Sequence, residues 1–192
     1  MAASRRSIKL GVLAEDDSDI AVLTHVLRKI SPSKRFGTNK FVSRGCGKLQ
    51  NKCRSWATVL AFRGCAVLIV LNDADGRDSS ALQAAIQAAL CPSPINPCII
   101  VIPVEEIEAW LLSDPRALKT TFNLQRLPNC PANPEKIRHP KEYPRDLVWK
   151  ASDKSKRYVN TVHNGRIAQH VSVSSLKKCR AYLPLQRFWV EV

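Results

Sequence analysis

Two stretches of this chain, Ile8-Lys9-Leu10-Gly11-Val12-Leu13-Ala14 and Val67-Leu68-Ile69-Val70-Leu71, are apolar at almost every position. A strand with one wet face alternates polar and apolar residues. A strand without that alternation is covered on both sides, the mark of a parallel sheet between helix layers. The intervening pattern agrees. Ile20, Leu23, Val26, Leu27 and Ile30 recur with the helical period, and Ser18 or Asp17 suits the N-cap beneath an acidic first turn. Residues 35–44 predict a second, more polar strand, followed by a helix through Leu49, Trp56, Val59 and Leu60. Residues 79–90 are helical in composition, and a Pro-rich turn from Cys91 precedes a fourth strand, Cys98 to Val104. Alternation of this kind predicts an α/β fold with a four-stranded parallel sheet and helices on both faces.

The pattern changes after residue 115. Five prolines between Leu127 and Pro144 predict an extended connection. A helix over 153–171, a shorter one near 174–182 and a closing segment ending Phe188-Trp189-Val190 are expected beyond it. Residues 1–126 are therefore read as the sheet domain, and residues 127–192 as a Pro-rich connection with a basic helical extension. Charge divides along similar lines. Residues 1–114 carry 14 Lys/Arg against 11 Asp/Glu, a net of +3, whereas residues 115–192 carry 16 against 5, a net of +11. Such a split suggests a polyanionic partner, nucleic acid being the usual one, although basic excess also serves solubility.

A hydrophobic content of 45% and four Trp argue for a globular chain rather than a disordered one. The seven cysteines form no CxxC pair and the histidines are scattered, which argues against a zinc site. With no long apolar run and no signal peptide, the expectation is a reduced, cytoplasmic protein that does not engage a membrane.

Acidic residues gather where the strands end. Glu15 with Asp16, Asp17 and Asp19 follows the first strand, Asp73-Ala74-Asp75 the third, and Glu105-Glu106-Ile107-Glu108 the fourth. Ligands of parallel sheets bind beyond the carboxyl ends of the strands. In extended backbone, side chains two apart point the same way, so Asp73 and Asp75 can reach one ion. Asp and Gly are also ordinary turn residues, and acids at a helix start also answer the helix dipole. Glu15, Asp19, Asp73, Asp75, Glu105 and Glu108 stand as candidate metal ligands, and Lys48, Lys150, Lys154, Lys156 and Arg157 as candidate contacts to a nucleic-acid backbone. Trp110 and Leu111 are expected in the core, with Tyr158, Tyr182 and Trp189.

The set E-x-x-x-D, D-x-D and E-x-x-E at three strand tips resembles the Toprim domain. The run Pro103-Val104-Glu105-Glu106-Ile107-Glu108-Ala109-Trp110-Leu111-Leu112-Ser113-Asp114 resembles a small Toprim-like bacterial family with the signature P-x-E-x-I-E-x-W-L-L-x-D, related to OLD-type nucleases. The resemblance covers residues 8–114. It implies a Toprim-like fold and a magnesium- or manganese-dependent nuclease acting on DNA, or on RNA, with Glu15, Asp73 and Asp75 catalytic. It further implies an antiviral defence setting and an ATPase partner. The commoner motif has Gly after the first glutamate, where this chain has Asp16. A non-catalytic nucleic-acid- or partner-binding subunit of the same fold is the alternative. Leu13-Ala14-Glu15-Asp16-Asp17 also resembles the opening of a phosphoacceptor receiver domain, with Asp73 as the acceptor. The spacing between the two is too long for that family, and its Lys-Pro after a fifth strand is missing.

Overall fold

A computed structural model describes residues 7–45 and 47–192; the basic tail at 1–6 and Cys46 lie outside the described residues. Four strands, β1 (Ile8–Ala14), β2 (Phe36–Val42), β3 (Val67–Leu71) and β4 (Cys98–Val101), form one parallel sheet in the order β2-β1-β3-β4. The two unalternating segments are the two central strands, as their composition requires. The four-stranded α/β expectation holds. No helix among the described residues is long and apolar enough to cross a membrane, and the six described cysteines are free thiols.

Each central strand divides its side chains between two cores. Leu10, Val12 and Ala14 of β1 and Val67, Ile69 and Leu71 of β3 face helix α1 (Asp17–Ile30). Leu13, Leu68 and Val70 face the opposite way, onto α2 (Lys48–Phe62) and α3 (Ser79–Leu90). Gly11 makes the α2 side possible, since a Cβ there would stand 3.1 Å from Leu60 Cδ1. In α2 the buried positions are Leu49, Cys53, Ala57 and Leu60, while Val59 is 39% exposed.

Connectivity sets the position of the site. The chain leaves β1 through α1 on one face toward β2, and leaves β3 through α3 on the other face toward β4. The loops after β1 and β3 thus diverge, and a crevice opens between the ends of the central strands. Asp16 caps α1: its φ is an ordinary −135°, its Oδ1 accepts from Ser18 N at 2.7 Å, and Asp19 Oδ2 accepts from Asp16 N at 2.9 Å. The cap is therefore Asp16, with Asp17 inside the first turn. The local backbone needs no glycine after Glu15.

Strand β4 stops at Val101, three residues short of the expected Val104, because Pro103 has no N–H to give a ladder. Its continuation still pairs irregularly, accepting from Asn72 N through Val101 O, from Ala74 N through Pro103 O and from Asp75 N through Glu105 O. This stitching holds the Asp73 loop against the short helix α4 (Glu108–Leu112), which leads into α5 (Pro115–Phe122).

The later helices differ most from expectation. Residues 127–142 are irregular apart from one 3-10 turn (Pro134–Lys136), but α6 (Tyr143–Ala151) follows at once, with Pro144 in its first turn where the missing N–H costs nothing. The helix expected over 153–171 is α7 (Asn160–Ala168), delayed by left-handed residues Asp153 (φ 51°) and Lys154 (φ 62°). The segment near 174–182 holds one turn, α8 (Val173–Leu176), and the closing segment is α9 (Tyr182–Glu191). Helix α7 lies on α1 where a Gly165 Cβ would come within 3.2 Å of the Ala21 Cβ. Helix α9 is anchored by the fully buried Trp189, whose Nε1 donates to Leu27 O at 3.1 Å and whose ring meets Phe36 edge-on at 5.1 Å. Trp110, Leu111, Tyr158, Tyr182 and Trp189 are all buried in the core on the α1 side, which runs without a break through both halves of the chain.

Candidate metal centre

Four carboxylates meet at the crevice. Asp73, directly beyond β3, is 3% exposed, and its Oδ1 accepts from Ile107 N, at the start of α4, at 3.0 Å. Asp19 approaches from the first turn of α1, and Glu108 from the first residue of α4, where it is fully buried. Glu15, at the tip of β1, is partly buried beside them. A cleft of about 180 Å³ is lined by Glu15, Asp19 and Asp73, with Asp16, Ser18, Arg44, Gly45, Lys141 and Asn160, while the fully buried Glu108 is not part of its lining.

Burial of several acids together disfavours their charged forms. Burial first, and then the Glu108 charge, pushes Asp19 up to about 7. Asp73 is held well above the ordinary carboxylate range by burial and then by Asp19 and Glu108. Glu108 is raised by burial, and Glu15 by burial and then Asp75. Two buried carboxylate oxygens, Glu15 Oε1 and Glu108 Oε2, have no hydrogen-bond partner. Buried oxygens without a hydrogen bond, in an all-oxygen donor set, fit a hard divalent cation. Among the described residues no three His, Cys, Asp or Glu side chains are already close enough to cage an ion.

Residues 115–192 supply the partners of this cluster. Lys141 Nζ stands 3.1 Å from Glu106 Oε1 and 3.8 Å from Asp73 Oδ2, and Glu106 Oε2 accepts from the Lys141 backbone N at 2.7 Å. Burial works against the Lys141 charge, yet Asp73, Glu108 and Glu106 hold its pKa above that of a free lysine. Asn164 is fully buried and donates through Nδ2 to Glu108 Oε1 at 3.0 Å, while accepting from the Tyr158 hydroxyl. Arg77 clamps the Asp73 loop, donating to Ala74 O at 2.8 Å and Asp73 O at 2.7 Å, with Glu15 Oε1 at 3.9 Å and Asp75 Oδ2 at 3.7 Å.

Asp75 and Glu105 sit differently from the expectation. Asp75 has φ 48°, a left-handed turn, so the extended-backbone rule fails one residue beyond Ala74. It does not line the cleft, although its charge acts on both Glu15 and Asp73. Glu105 shares a separate depression with Asp75, Glu106, Arg138 and His139, and Glu106 is the member of that run that reaches Lys141.

The five basic candidates scatter. Lys48 is exposed at the start of α2, and Lys154 is exposed in the left-handed turn after α6. Lys150 borders a depression formed with residues 125–129, away from the acidic cleft. Lys156 donates to Phe122 O and Asn123 O, closing the end of α5, which makes it structural. Arg157 alone of the five lines the groove that adjoins the cleft.

Sequence reasoning missed Arg77, Glu106, Lys141 and Asn164. Arg77 and Glu106 lie beside recognised motifs. Lys141 sits among prolines and Asn164 in an unremarkable helix, with no local signal. The sequence profile described as "Domain of unknown function (DUF4276)" matches residues 14–189, and the chain belongs to that family. No curated protein and no solved structure matches the chain.

Proposed function

We propose that this DUF4276 protein is a Toprim-like, metal-dependent nuclease that hydrolyses phosphodiester bonds of DNA or RNA in the cytoplasm, in an antiviral defence setting with an ATPase partner. The observation that carries the reading is the cluster of Glu15, Asp19, Asp73 and Glu108 at the switch point of the sheet, with two buried oxygens left without a hydrogen bond. A bound magnesium or manganese ion would activate water and neutralise charge on the phosphate. Glu15, Asp19 and Asp73, which line the cleft, would hold it, with the buried Glu108 beside Asp19 and Asp73 and with Asp75 beside Glu15. Asn164 and the Ile107 N–H fix the orientation of Glu108 and Asp73. Lys141 and Arg77 offset part of the negative charge, so that an anionic substrate can approach.

The test is incubation of the purified protein with plasmid, linear DNA and RNA, with magnesium or manganese and then with chelator. Metal-dependent cleavage that chelator stops, and that Asp73→Asn lacks, supports the reading. Binding without cleavage under every metal condition favours the alternative, a non-catalytic nucleic-acid-binding subunit. Labelling of Asp73 by acetyl phosphate would point instead to a receiver-like phosphoacceptor.

A further inference from the structure

Beside the acidic cleft lies a groove of about 710 Å³, lined by Lys141, Glu142, Arg145, Asp146, Trp149, Arg157, Tyr158, Val159 and Asn160. Lys141 and Asn160 line both spaces, so the two adjoin. The floor is one face of α6, since Glu142, Arg145, Asp146 and Trp149 recur at helical spacing. The facing wall is the segment 157–160, which ends at the first residue of α7.

The lining joins three kinds of chemistry. The Arg157 guanidinium lies over the half-buried Trp149 indole, 5.5 Å from its ring centroid. A base stacking there meets the guanidinium plane, or takes its place on the ring while Arg157 turns to the phosphates. Among the described residues Arg145 makes no ion pair or side-chain hydrogen bond, and Arg157 makes none beyond that ring contact, so both guanidiniums remain able to take phosphate oxygens. Glu142 and Asp146 are exposed carboxylates in the same wall. A bare phosphate chain would be repelled by the two acids. A nucleotide suits all three, because a base can stack on indole and donate its amino hydrogens to carboxylates while its phosphates meet arginine. Only an unpaired, unstacked base can present its face in this way.

Resting on the nuclease reading of the neighbouring cleft, we propose that this groove binds one unstacked nucleotide of a single strand, with its base on Trp149 and its phosphates on Arg145 and Arg157, and so leads the strand to the carboxylates. The groove makes the substrate single-stranded at the point where it enters the site.

The test measures fluorescence anisotropy of a labelled single-stranded oligonucleotide of about 10 nucleotides, and of its duplex, in chelator so that no cutting occurs. Trp149→Ala is expected to weaken single-strand binding about ten-fold, and Arg145→Ala and Arg157→Ala several-fold each. Trp149→Phe, which keeps a ring, should retain most of the affinity. Duplex binding should change by less than about two-fold in Trp149→Ala. Wild-type affinity in both Trp149→Ala and the Arg145→Ala/Arg157→Ala double variant would overturn the proposal, as would an equal loss for the duplex or no single-strand binding at all. Arg145 and Arg157 are exposed, so their variants keep the test decisive if Trp149→Ala misfolds. Groove-dependent binding by a protein that cuts nothing with magnesium or manganese would sink the nuclease reading alone. Metal-dependent cutting with groove variants that bind normally would sink the groove alone.

Discussion

The tips of the central strands and the C-terminal helices oppose each other in charge and meet at one place. The strand tips contribute Glu15, Asp19, Asp73 and Glu108, carboxylates raised by burial and by one another. The C-terminal region contributes Lys141 and Asn160 to the same cleft, Asn164 to the buried Glu108, and Arg145, Trp149 and Arg157 to the groove beside it. A basic extension that only gripped a polyanion would not bury Asn164 against Glu108. The contrast teaches that residues 127–192 complete the acidic centre as well as surround it with positive charge.

The severest way to break this comparison is to delete residues 145–192. Tyr158, Ile167, Tyr182, Leu185 and Trp189 leave the α1-side core with that segment, so the remainder is expected not to fold, with loss of dispersed amide signals in NMR. A well-folded 1–144 fragment would make the helices a true appendage.

Next in size is Asp73 against Asp75. Asp73→Asn keeps an acceptor for Ile107 N but removes the buried charge, and cleavage should fall to background. Asp75→Asn, at the exposed turn, should retain measurable activity. Equal losses would mean that Asp75 shares the role of Asp73 despite its turn.

Asn164→Ala leaves both Glu108 oxygens without a hydrogen bond and should cost about 1–3 kcal/mol in chemical denaturation. Loss of a group that orients a ligand should also weaken magnesium binding about 10–100-fold, as read by calorimetry. An unchanged affinity would remove α7 from the centre.

A smaller effect concerns pH. Folding favours the protonated forms of Asp19, Asp73, Glu108 and Glu15, so their contribution to stability is present below the ordinary carboxylate range. It is lost as pH rises, with Asp19 passing through about 7. Metal-free protein should therefore lose at least about 2 °C in Tm relative to Asp19→Asn between about pH 5 and about pH 8. Magnesium should close the gap. A parallel pH response in the two proteins would contradict the raised carboxyl of Asp19. The smallest effect should be that of Glu105→Gln, with activity within about two-fold of the unaltered protein and well above that of Glu106→Gln.

Much of the architecture was legible because its signals are local. Unbroken apolar runs at 8–14 and 67–71 mark central strands, and the periodic apolar positions of α1 and the composition of residues 79–90 mark helices whatever lies around them. Glu15, Asp73 and Glu108 could be placed at strand tips for the same reason. The sequence could not show the left-handed turn that takes Asp75 out of the cleft, the choice between adjacent Glu105 and Glu106, or the use of Lys156 to close α5. Nor could it show that Asn164 meets a carboxylate 56 positions away, or that the Lys141 N–H meets one 35 away. Composition and periodicity record what a residue does for its own element. Which buried charge finds which donor depends on how helices from distant segments pack on one face of the sheet, and only the folded chain decides that.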